Sequence, residues 1–139
     1  MSDGKKTILV CDDNADILEV VSKILRSSGY IVFVANGYKE FLPQIESAHP
    51  DLLICDIRMP EHDGFWIAEH LQTQGIHIPI IFITAHDTNL YRAYAPFVGS
   101  VGYITKPFED FELLGQVEKA LSADASKLAT KPRTLPQNL

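Results

Sequence analysis

Short apolar runs and helix-length amphipathic stretches alternate five times along this chain. The first run, Thr7–Cys11, is apolar or β-branched throughout, as in strands covered on both faces. Similar runs recur at Ile31–Ala35, Leu52–Asp56, Pro79–Ile83 and Val101–Thr105. Between them, apolar residues repeat at three- and four-residue steps, the pattern of a helix with one buried face. In the first such stretch Ile17, Leu18, Val21, Ile24 and Leu25 share one side, while Asp16, Glu19, Lys23 and Arg26 share the other. Asn14 is placed to cap it and Gly29 to end it. The second stretch starts near Asn36-Gly37 and buries Phe41, Leu42 and Ile45. Pro43 is expected to bend or shorten it, because proline lacks an N–H and its ring crowds the preceding turn. The third runs from Gly64 to Gly75 with Ile67, Ala68 and Leu71 inward. The fourth spans Thr88–Phe97 with Leu90, Ala93, Tyr94 and Phe97 at helical spacing, which leaves Tyr91 off the stripe. Pro96 is expected to weaken its last turn. The fifth, Glu109–Leu121, turns Leu114, Val117 and Leu121 inward.

Strict strand–helix alternation predicts an α/β fold, a three-layer αβα sandwich around a five-stranded parallel sheet with five helices. One domain accounts for residues 1–121. Residues 122–139 are small, polar and punctuated by Pro132 and Pro136, and are expected to form a flexible tail or linker, too short for an output domain. The chain's 139 residues carry an ordinary globular balance, 46% hydrophobic and 22% charged. A net charge of −6 argues against direct nucleic-acid binding through phosphate contacts. No apolar stretch approaches the roughly 20 residues of a membrane span, and no secretory leader follows Met1, so a cytoplasmic protein is expected. Cys11 and Cys55, the only cysteines, read as two small buried thiols or as a redox-linked pair on neighbouring strands.

The chemistry sits where the runs end. Asp12 and Asp13 follow the first strand, Asp56 ends the third, and Lys106-Pro107 follows the fifth. Ligands of parallel α/β sheets bind at the carboxyl ends of the strands, so these groups are candidates for one site. Three crowded carboxylates repel one another unless a cation lies among them, and a small oxygen-seeking ion, Mg2+ above all, suits them.

From Thr7 to Leu121 the chain resembles the receiver domains of two-component response regulators. The resemblance is carried by Asp12-Asp13, by Asp56 followed by Arg58-Met59-Pro60 and Asp63-Gly64, by Thr84-Ala85, and by Tyr103-Ile104-Thr105-Lys106-Pro107-Phe108. It implies strand order 2-1-3-4-5. It implies that Asp56 accepts a phosphoryl group from a phosphohistidine, on a sensor histidine kinase or a phosphotransfer protein. Mg2+ would be held by Asp13, Asp56 and the backbone carbonyl of Arg58, with Asp12 acting partly through water. Lys106 would pair with a phosphoryl oxygen, and the Lys106-Pro107 peptide would be cis. Thr84 would donate to the phosphoryl group and let Tyr103 turn inward, switching a surface of helix four, strand five and helix five. That surface would engage an output domain, an effector or a second copy of the chain. No external substrate would be turned over.

Two other classes compete. One is a receiver-like interaction module that works without phosphorylation. The other is a Mg2+ phosphatase with an aspartyl nucleophile, such as the haloacid dehalogenase type. That type pairs its nucleophile with a second Asp two residues on, where this chain has Arg58. Trp66 departs from the receiver pattern, which favours a polar residue there, and reads either as a partner contact or as a locally packed aromatic.

Overall fold

The structure, a computed structural model, describes residues 4–122. Its strands are β1 (Thr7–Cys11), β2 (Ile31–Ala35), β3 (Leu52–Asp56), β4 (Ile80–Thr84) and β5 (Ser100–Thr105). Its helices are α1 (Ala15–Ser27), α2 (Tyr38–Ala48), α3 (Gly64–Thr73), α4 (Asn89–Phe97) and α5 (Asp110–Ala120). The strands form one parallel sheet in the order β2-β1-β3-β4-β5. Of the expected tail, residues 122–139, all but Ser122 lie outside the described residues. Among the described residues, no helix is long and apolar enough to cross a membrane.

The pleat of the strands divides the core in two. Ile8, Val10, Leu52, Ile54, Ile81, Ile83 and Ile104 face the layer of α1 and α5, where Leu18, Val21, Leu25, Leu113 and Val117 meet them. Leu9, Cys11, Leu53, Cys55 and Phe82 face the opposite layer, filled by Phe41, Ile45, Phe65, Ile67, Leu71 and Ala95 from α2, α3 and α4.

The helix ends follow from local chemistry. The Asn14 side chain accepts from the Asp16 and Ile17 backbone N–H groups at the start of α1. Asp63 caps α3 and Thr88 caps α4 in the same way, while Glu109 and Glu112 form a reciprocal capping box on α5. Helix α2 runs through Pro43 over 11 residues. Pro43 and Lys39, four residues before it, are both exposed, so the interrupted hydrogen bond lies on the solvated side.

Two sequence expectations need correction. Leu90 is 74% exposed and Ala93 is exposed, so α4 docks through Tyr91, Tyr94, Ala95 and the following Val98 instead. Both stripes have helical spacing. The aromatic contacts decide between them: Phe65 packs edge-on against Tyr91 at 5.5 Å and Tyr94 at 4.9 Å between ring centres. Tyr91 is therefore a core contact of α4 and not a free surface aromatic. On α5 the buried face is Leu113, Val117 and Ala120, with Leu114 and Leu121 half-buried beside it.

Both edges of the sheet carry side-chain hydrogen bonds. On β2, Arg26 donates to the Val32 carbonyl at 2.8 Å and Gln44 to the Val34 carbonyl at 2.7 Å. On β5, the Gln116 amide accepts from the Tyr103 N–H and donates to the Tyr103 carbonyl. Gly102 makes room for that clip, since a Cβ there would lie 2.4 Å from the Gln116 oxygen. An edge stripped of such partners is a template for another strand. The double variant Arg26→Ala, Gln44→Ala is expected to keep its helical circular dichroism but scatter more light as concentration rises. Unchanged scattering at high concentration would show that these caps do not guard the edge.

Candidate functional site

Parallel register assembles the site. Cys11 lies opposite Cys55, so the next residues, Asp12 and Asp56, stand at the same height on neighbouring strands. Thr84 lies opposite Thr105 at the ends of β4 and β5, and the Lys106 N–H donates to the Thr84 carbonyl at 2.8 Å. Lys106 thus leaves β5 at the same level, and its ammonium reaches across. It lies 2.9 Å from Asp12 Oδ2 and 3.4 Å from Asp56 Oδ2. The Lys106-Pro107 peptide is cis.

Asp12 and Asp56 are buried, 0% and 6% exposed, and Asp13 is exposed. Asp12 Oδ1 accepts from the Asn14 N–H at 2.9 Å, which leaves both its oxygens engaged. One carboxylate oxygen from each of Asp12, Asp13 and Asp56 lies within 4.8 Å of the others. Only Lys106 pairs with these acids among the described ion pairs, so the cluster keeps excess negative charge. That set of hard oxygens fits a divalent cation such as Mg2+. Arg58 is exposed and follows Asp56 by two residues. Arg58, Met59, Pro60, Asp63 and Tyr91 line an open cleft of about 570 Å³.

Burial pushes the Asp56 carboxyl up to about 6, and the charge of Asp12 adds to this; Lys106 and the Arg58 backbone pull it down by less. In the unfolded chain the group sits near its usual value of about 3.9. The folded chain therefore holds the proton more tightly. This contribution to stability is fully present below about pH 4 and is lost as the pH rises to about 6. In EDTA, Asp56→Asn is expected to exceed the parent chain in stability at about pH 7.5 by roughly 1–2 kcal/mol, after allowance for solvent screening. Urea denaturation should show the gap closing below about pH 4. A gap that does not change with pH would refute the assignment.

Thr84 is fully buried, and its hydroxyl oxygen accepts from the His86 N–H at 2.9 Å. Tyr103 is half-buried and turned to the surface: its hydroxyl donates to Asp87 at 3.1 Å. Arg92 pairs with Asp87 at 2.7 Å and stacks its guanidinium 4.9 Å from the Tyr103 ring centre. Burial and the Asp87 bond push the Tyr103 hydroxyl up to about 12.

The profile of the response regulator receiver domain matches residues 8–118. This chain belongs to that family. The response regulator protein TodT of Pseudomonas putida is 35% identical over 133 residues, covering 96% of this receiver and 59% of TodT. The alkaline phosphatase synthesis transcriptional regulatory protein PhoP of Bacillus subtilis is 34% identical over 116 residues, covering 84% of this receiver and 48% of PhoP. The receiver thus spans about half to three-fifths of the curated relatives it matches. Among solved structures, the chemotaxis protein CheY4 of Vibrio cholerae superposes with a TM-score of 0.78 at 28% identity, covering 84% of this chain and 98% of CheY4. A CheY-like receiver domain protein from Methanospirillum hungatei gives a TM-score of 0.81 at 27% identity, covering 89% and 99%.

The receiver's acids, Lys106 and Thr84 come together as their strand-end positions predict. Sequence reasoning missed the residues around Tyr103. Asp87, Arg92 and Gln116 hold its hydroxyl, ring and backbone. The only available signal was an acid and an arginine straddling the Thr88 cap, which reads as ordinary surface charge. Trp66 is half-buried, stacked between His62 at 3.7 Å and His70 at 4.8 Å, which supports the reading of a locally packed aromatic.

Proposed function

We propose that this receiver is a phosphorylation-controlled switch with Asp56 as the acceptor. One observation carries the reading most. In a chain of this family, the Asp56 carboxylate sits at the rim of the sheet beside two further carboxylates and 3.4 Å from a half-buried ammonium. Its oxygen attacks the phosphorus of a phosphohistidine, and the P–N bond breaks as the new P–O bond forms, giving an acyl phosphate. Asp12, Asp13 and Asp56, whose carboxylate oxygens cluster, would hold Mg2+ together with the Arg58 carbonyl. When bound, that ion neutralises charge on the transferring phosphoryl group. Lys106 is near enough to leave Asp56 for a phosphoryl oxygen while keeping Asp12. Thr84 already accepts from His86, which leaves its own O–H to donate to the new group. Drawing Thr84 toward the phosphoryl group opens the space into which Tyr103 turns, and Tyr103 must then give up Asp87.

The donor is a sensor histidine kinase or a phosphotransfer protein, met in the cytoplasm. The output is read from the surface of α4, β5 and α5 by an effector, an output domain or a second copy. External substrate is not turned over. Intact mass after incubation with acetyl phosphate and Mg2+ tests the assignment. One phosphoryl group is expected per chain, absent from Asp56→Asn and from protein in EDTA. Equal labelling of Asp56→Asn would refute it. No labelling, together with no Mg2+-dependent change in Trp66 fluorescence on adding beryllofluoride, would favour an interaction module that works without phosphorylation.

A further inference from the structure

The Tyr103 side chain is free to turn while its backbone is held. Gln116 accepts from the Tyr103 N–H at 2.9 Å and donates to its carbonyl at 2.8 Å. The choice between outward and inward is therefore a side-chain rotation and not a shift of β5. Outward, the ring has two polar partners. Its hydroxyl donates to Asp87 Oδ1 at 3.1 Å, and the Arg92 guanidinium lies 4.9 Å from the ring centre. These partners also hold each other. Arg92 Nε donates to Asp87 Oδ1 at 2.7 Å and a terminal nitrogen donates to Oδ2 at 2.9 Å, a bidentate fork. The fork straddles the start of α4, where the Thr88 hydroxyl accepts from the Tyr91 N–H at 3.0 Å and fixes the turn between them. Asp87 follows His86, whose N–H donates to the Thr84 hydroxyl oxygen at 2.9 Å. Thr84 and Asp87 are thus joined through Ala85 and His86 alone.

We propose that Asp87 and Arg92 are positioning residues that latch Tyr103 outward and set the threshold of the switch, an assignment that rests on the phosphoryl switch proposed above. A pair this exposed adds little to the stability of the fold: the Asp87 and Arg92 side chains are 38% and 55% exposed. Its weight falls instead on the choice between two rotamers of one half-buried ring. An outward ring keeps both contacts. An inward ring loses the Asp87 bond, and the guanidinium, tied by its fork to Asp87, cannot follow it. Any group that favours the outward state weakens a ligand that needs the inward state, and by the same factor. A phosphoryl group that draws Thr84 from its place is such a ligand. Loss of the latch therefore tightens the binding of a phosphoryl mimic, and it lets Tyr103 turn inward in part with no mimic present. Water competes for so exposed a hydrogen bond, which limits the effect to about three- to tenfold.

The rotamer is read first in EDTA with no phosphoryl donor, by NMR of the full chain with isotope-labelled tyrosine rings. Tyr103→Phe identifies the Tyr103 signals among those of the five tyrosines. In Asp87→Ala the ring is expected to gain nuclear Overhauser contacts to the Thr84 methyl group, the mark of the inward state. The dissociation constant for beryllofluoride with Mg2+, followed by Trp66 fluorescence, should fall about three- to tenfold, while urea unfolding stays cooperative. Arg92→Lys keeps the charge without the fork and should show a smaller change in the same direction. In the Tyr103→Phe background, Asp87→Ala should leave the affinity nearly unchanged, because the hydroxyl bond is already gone. A Tyr103 ring that stays outward in Asp87→Ala would overturn the proposal. So would an equal gain in affinity with and without the Tyr103 hydroxyl. A parent chain that binds no beryllofluoride would count against the Asp56 reading alone, and the ring contacts in EDTA would then decide the latch by themselves.

Discussion

Lys106→Met is expected to slow labelling of Asp56 by acetyl phosphate by about 100-fold or more. The estimate follows from the cost of removing one preorganised donor from a site of developing charge. The Lys106 ammonium lies 2.9 Å from Asp12 and 3.4 Å from Asp56, and its side chain is only 14% exposed, so water cannot take its place cheaply. Methionine keeps the length and the apolar stem and removes only the charge. The loss should also appear in the resting protein. Two buried carboxylates would face each other without their cation, and breaking such a pair from one side costs about 3–5 kcal/mol where burial is complete. Protonation of Asp56 relieves part of that, so urea unfolding should show a smaller loss at pH 5 than at pH 8 (both round settings on either side of the value of about 6 for Asp56). Labelling at the parental rate would show that Lys106 plays no part in the transfer.

Gly64→Ala should destabilise the fold by about 2–3 kcal/mol, as overpacking of a tight core position does. Gly64 opens α3 directly against the site strand. A Cβ there would lie 2.6 Å from the Asp56 carbonyl oxygen, 3.1 Å from Ile57 Cα and 3.1 Å from the Phe82 ring. Two of these three neighbours are backbone and cannot rotate away. The helix cannot retreat easily either, since the Gly64 N–H donates to the Ile57 carbonyl at 2.8 Å and Asp63 caps the same turn. Gly115 supplies the control. It lies on the exposed face of α5 with nothing within 4 Å of an added Cβ. Gly115→Ala should therefore stabilise by roughly 0.5–1 kcal/mol through helix propensity alone. Urea denaturation of the two variants side by side checks the contrast, and similar changes in both would mean that the close approach at Gly64 carries no strain.

The order and type of every element were legible because a parallel sheet covered on both faces writes itself as near-continuous apolar runs. The site was legible for a related reason. Register places strand ends at one height, so an acid that closes one run lies beside the acid that closes the next. What sequence could not resolve was the choice between equally spaced helical stripes. On α4, Leu90-Ala93-Tyr94-Phe97 and Tyr91-Tyr94-Ala95-Val98 both repeat at helical steps. The second docks on the core because Phe65 of α3 presents its ring to Tyr91, a contact made across 26 residues. The surroundings of Tyr103 were hidden for the same reason. Asp87, Arg92 and Gln116 acquire meaning only once distant segments converge on one residue, Tyr103.

The hydrogen-bonded edges of the sheet bear on how such a protein stays distinct from others of its kind. A cell that builds many switches on one backbone plan exposes each to strands of nearly identical shape. Backbone recognition carries almost no sequence information, so open edges would invite crosstalk between unrelated circuits. With Arg26 and Gln44 occupying one edge and Gln116 the other, strand pairing is blocked and recognition is left to side chains. Signal fidelity then begins with three side chains that hold backbone rather than the acids or Lys106.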